Sequence, residues 1–65
     1  MREIINVGKK VNGVEVQYEG TTRMLSEEFT YSELIDLRIN VLDMFDHPEH
    51  YLLDIHTHKI IEKLP

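Results

Sequence analysis

With 65 residues and no cysteine, the chain has room for one domain, residues 1–65, and none for a disulfide or a thiolate metal site. A composition of 42% hydrophobic and 29% charged residues excludes a disordered chain, and no segment approaches the run of about 20 apolar residues that crosses a bilayer. A net charge of −5 opposes phosphate backbones and argues against direct nucleic-acid binding.

Met1 to Gly8 holds no apolar stretch of signal-peptide length, so a soluble, cytoplasmic protein with no membrane contact is expected. The first element in chain order is a hairpin at Val11-Asn12-Gly13-Val14, because a type I′ turn needs positive φ at both central residues and Asn-Gly supplies it. A two-residue turn pairs Val11 with Val14, Lys10 with Glu15 and Val7 with Tyr18. One face then gathers Ile5, Val7, Val11, Val14, Val16 and Tyr18. Arg23, Met24 and Leu25 form either a short third strand or the lead into a helix.

Thr30-Tyr31-Ser32-Glu33 is a capping box, with Thr30 as N-cap and Phe29 placed to staple against Leu34. The helix is expected to run from Tyr31 to Asp46, where His47 precedes Pro48 and leaves the α region. Tyr51 to Leu64 alternates as one half-buried returning strand. The expected fold class is therefore α+β: an N-terminal hairpin, one helix and a C-terminal strand (ββαβ, with one optional short strand), the helix packed on a small sheet.

At 100° per residue, that helix carries one apolar stripe of Leu34, Leu37, Val41, Met44 and Phe45 beside a second of Tyr31, Ile35, Ile39 and Leu42. Together they span about 220°, where packing on one sheet needs little more than about 100°. Either loops of the chain cover the surplus, or the flank Tyr31, Ile35, Arg38, Ile39 and Leu42 meets a protein partner, a second copy or a larger protein. A core this small gains from either a partner or a metal.

Four histidines crowd the C-terminal third. On a straight strand Asp54, His56 and His58 point the same way, and with His50 they offer ligand types used by zinc or non-haem iron. The competing reading is an exposed polar strand face, and no cofactor is expected. The acids are also concentrated: Ser26 to Asp54 holds eight against one base, a net −7, while the rest of the chain carries +2. Glu27, Glu28, Asp36, Asp43 and Asp46 could therefore compete with nucleic acid for a basic protein. Catalytic motifs are absent, with no cysteine nucleophile, Gly-x-Ser-x-Gly elbow, Walker loop or dinucleotide turn, so the chain is not expected to be an enzyme.

The stretches Val11-Asn12-Gly13-Val14-Glu15-Val16, Phe29-Thr30-Tyr31-Ser32-Glu33-Leu34 and Tyr51-Leu52-Leu53 resemble, in that order, ubiquitin-like β-grasp domains of the bacterial multi-ubiquitin type. The resemblance implies a binding domain rather than an enzyme. Lys63-Leu64-Pro65 lacks the diglycine tail of conjugated members, so it implies no conjugation chemistry. The expected function is a non-enzymatic, acidic protein-binding module, either a homodimer or a small regulator or inhibitor of the sort phages and mobile elements carry.

Overall fold

The structure, a computed structural model, describes residues 1–20 and 22–63. Among these the chain forms β1 (Arg2–Lys9), β2 (Gly13–Glu19), β3 (Met24–Thr30), α1 (Tyr31–Asp36), α2 (Val41–Asp46), a 3-10 turn (Pro48–His50), β4 (Tyr51–Asp54) and β5 (Lys59–Glu62). The strands make one sheet in the order β3-β2-β1-β4-β5, with every neighbouring pair antiparallel. The ββαβ, α+β expectation is overturned: the fold is mainly β, with two short helices. No helix among the described residues is long and apolar enough to cross a membrane.

The single helix fails between Leu37 and Asn40. Arg38 adopts φ 60°, its N–H donates to the Ile35 carbonyl and that of Ile39 to the Leu34 carbonyl, each at 3.0 Å. This is a Schellman closure, in which a left-handed residue ends the helix and its successor folds back over the last turn. Asn40 then caps α2, its side chain accepting from the Asp43 N–H at 3.1 Å. The start of α1 is the expected capping box, with Thr30 N–H to Glu33 at 2.9 Å and Glu33 N–H to the Thr30 hydroxyl at 3.1 Å.

The C-terminal strand is likewise two strands. Asp54 accepts from the backbone N–H groups of His56 (3.0 Å) and Thr57 (3.3 Å), turning the chain, and His58 completes the turn at φ 55°. Tyr51 then pairs with Glu62 and Leu53 with Ile60. Near the N-terminus, β1 and β2 pair as a hairpin, but Lys9 faces Val14, Val7 faces Val16 and the Lys10 N–H donates to the Gly13 carbonyl at 2.9 Å, so the turn centres on Val11-Asn12 and not on Asn12-Gly13. No described glycine has positive φ, so Asn12-Gly13 does not form the type I′ turn. Gly13 is needed for another reason: a Cβ there would lie 1.9 Å from the Phe29 carbonyl oxygen on β3. The third strand extends well beyond Arg23–Leu25, since all of Met24–Thr30 pairs with β2.

A bulge at Ile5, between the pairs Ile4/Tyr18 and Asn6/Gln17, turns Ile4 inward and leaves Ile5 46% exposed. Beyond the bulge β1 reaches β4, pairing Arg2 with Leu53 and Glu3 with Leu52. The core joins Ile4, Val7, Val14, Val16, Tyr18, Phe29, Tyr51, Leu53 and Ile60 of the strands to Leu34 of α1 and Met44 of α2. The sheet curls, because His58, just before the edge strand β5, touches Phe29 and Glu27 of the opposite edge strand β3.

Candidate functional site

Ending α1 at Arg38 redistributes the apolar flank. Tyr31 and Ile39 are half-buried against the core, whereas Ile35 is 69% and Leu42 77% exposed, one on each helix, with Arg38 also exposed. The protein's own core therefore takes in Tyr31 and Ile39 and leaves Ile35 and Leu42 bare. Asp36 and Asp46 are exposed on the same two helices, as is Glu28 on β3. Glu27 and Asp43 of the acidic set are engaged, the first with His58 and the second with Tyr51.

The row of Asp54, His56 and His58 depended on a straight strand. The turn spends the Asp54 carboxylate on backbone N–H groups, and hydrogen bonds from Thr57 hold it below the usual Asp range. His58 instead stacks on Phe29, with Nδ1 2.9 Å from Glu27 and Nε2 3.4 Å from Glu33. Hydrogen bonding from the Thr30 backbone holds the Glu33 carboxyl low, in keeping with a capping anion.

Ligand-type atoms converge elsewhere. Among the described residues, His47, Glu49 and His50 each place one such atom within 4.8 Å of the others. Pro48 opens the 3-10 turn, and residues three apart are eclipsed in that geometry, so the His47 and His50 rings stack at 4.7 Å and 17°. Glu49 Oε2 lies 3.2 Å from His47 Nδ1 and 3.9 Å from His50 Nε2. His50 Nδ1 is 3.6 Å from Asp43 Oδ2, which accepts the buried Tyr51 hydroxyl at 2.7 Å. That hydroxyl lowers the Asp43 pKa, while burial and the carboxylate raise that of Tyr51 above the ordinary range. Glu49 is held low chiefly by its own backbone N–H and then by His47. Only His50 of this group belonged to the expected metal set; the sequence signal for the others was His-Pro-Glu-His itself, whose proline starts a turn that superposes its two ends.

No family model, curated protein or solved structure matches the chain.

Proposed function

We propose that the protein is a non-enzymatic binding module that docks on a larger protein, inserting Ile35 and Leu42 into an apolar recess rimmed by lysine or arginine. The observation that carries this reading is the exposure of those two side chains, at 69% and 77%, on helices that otherwise bury Leu34 and Met44 completely. Large aliphatic residues in contact with water lose the gain from burial, about 1.5–3 kcal/mol for a complete one. Acids on the same helices favour a basic partner over a second copy, since two copies meeting here would bring together segments of net −7.

The test is capture of a partner from the native host on immobilised protein, in parallel for wild type, Ile35→Lys and Leu42→Lys. Each substitution removes an anchor and adds a charge that a basic rim repels. The expected result is a protein retained by wild type, lost in both variants and released by moderate salt. A captured protein that binds all three equally would overturn the assignment of the surface. Concentration-dependent dimerisation of wild type, abolished by either substitution, would replace the larger partner with a second copy.

A further inference from the structure

We propose that His47, Glu49 and His50 form a site for a divalent transition metal, Zn2+ being the fitting ion, with Asp43 orienting His50 from behind. The spacing carries the inference. Donor atoms around a tetrahedral Zn2+ with bonds of about 2.0–2.2 Å lie about 3.3–3.6 Å apart. Glu49 Oε2 stands 3.2 Å from His47 Nδ1 and 3.9 Å from His50 Nε2, close to that spacing, and the two imidazoles, stacked 4.7 Å apart and 17° from parallel, must turn out of their stack to aim both lone pairs at one ion. The three ligands come from one tight turn whose first residue is proline, and therefore little chain entropy is lost in assembling them.

The surroundings match the second requirement of a histidine ligand. A ligating imidazole generally donates its other N–H to a carboxylate, which fixes the tautomer and raises its basicity. Asp43 stands beside His50 Nδ1, leaving Nε2 towards Glu49, and the buried Tyr51 hydroxyl holds Asp43 in place at 2.7 Å. Two neutral imidazoles and a carboxylate, with no thiolate, suit a borderline ion such as Zn2+ better than a soft one. Three protein donors leave the fourth position to water or to a group from another molecule. This site is independent of the docking surface proposed above, because neither Ile35 nor Leu42 contributes to it.

The experiment is calorimetric titration of tag-free protein with Zn2+, combined with histidine ring resonances in the NMR spectrum. Saturable binding is expected in wild type, weakened at least about tenfold in His47→Ala and His50→Ala, weakened about tenfold in Asp43→Asn, and unchanged in His56→Ala. In wild type alone, the ring signals of His47 and His50 should move on adding Zn2+ while those of His56 stay, a readout that requires no variant to fold. Absence of saturable binding, equal affinity in the His47 and His50 variants, or shifts confined to His56 and His58 would each overturn the assignment.

Discussion

The imidazole of His58 lies flat on the ring of Phe29, centroids 4.0 Å apart and planes 12° from parallel, while its Nδ1 meets Glu27 at 2.9 Å. Phe29 and Glu27 belong to one edge strand of the sheet, and His58 immediately precedes the other. This contact holds the two open edges towards each other. Replacing His58 by Ala is expected to cost about 1–2 kcal/mol, from the lost stack and the lost contact with the carboxylates. Urea unfolding measures it; a loss below a few tenths of a kcal/mol would mean the edges hold their places without the contact.

Arg38 sits at φ 60°, where a side chain costs roughly 1 kcal/mol or more relative to glycine. Its side chain is exposed. Arg38→Gly should therefore raise stability by about 1 kcal/mol, seen as a higher urea midpoint with an unchanged slope. Destabilisation instead would show that the helix runs on through residue 38.

Gly13→Ala should have the opposite sign and a larger size. The added methyl would meet the Phe29 carbonyl at 1.9 Å, so β2 and β3 must part at Gly13/Thr30. A loss of about 3 kcal/mol is expected, at the upper end for an overpacked site. A loss under about 1 kcal/mol would be inconsistent with this strand pairing.

Glu33 and Asp54 both have lowered pKa values in the folded protein, the first by the Thr30 backbone N–H and the second by Thr57. On acidification the unfolded chain binds protons at these positions first. Their contribution to stability is therefore complete above their ordinary values of 4.5 and 3.8, and it is lost as pH falls through the lower folded values. The urea midpoint should drop below about pH 4, and the drop should be shallower in a Glu33→Gln/Asp54→Asn double variant. An unaltered acid limb in that variant would assign the dependence to other carboxylates.

Local signals in the sequence were legible where one residue type enforces one conformation. Thr30 and Glu33 announce a helix start, and Pro48 ends the second helix on schedule. Periodicity misled wherever the apolar pattern ran on through a break. Ile39, Val41 and Leu42 continue the helical stripe past Arg38, across the point where Asn40 caps a new helix. Ile4 and Ile5 are both apolar, so nothing in composition says which one a bulge turns inward. The C-terminal turn contains neither glycine nor proline, and alternation passes through Asp54 to His58 without interruption. The same failure decided the histidines, since a straight strand aligns Asp54, His56 and His58, whereas the turn sends His58 to Phe29. The convergence of His47 and His50 is set by a 3-10 turn, whose period of three leaves no mark in a segment this short.

The docking assignment stands on Ile35 and Leu42 being outside the core, and equilibrium urea unfolding of the Ile35→Lys/Leu42→Lys double variant tests that most directly, with Leu34→Ala as the reference. The expected result is a double variant within about 1 kcal/mol of wild type, beside a loss of about 2–5 kcal/mol for Leu34→Ala. A double variant as unstable as Leu34→Ala would place both side chains in the protein's own interior and leave the proposed surface without its anchors.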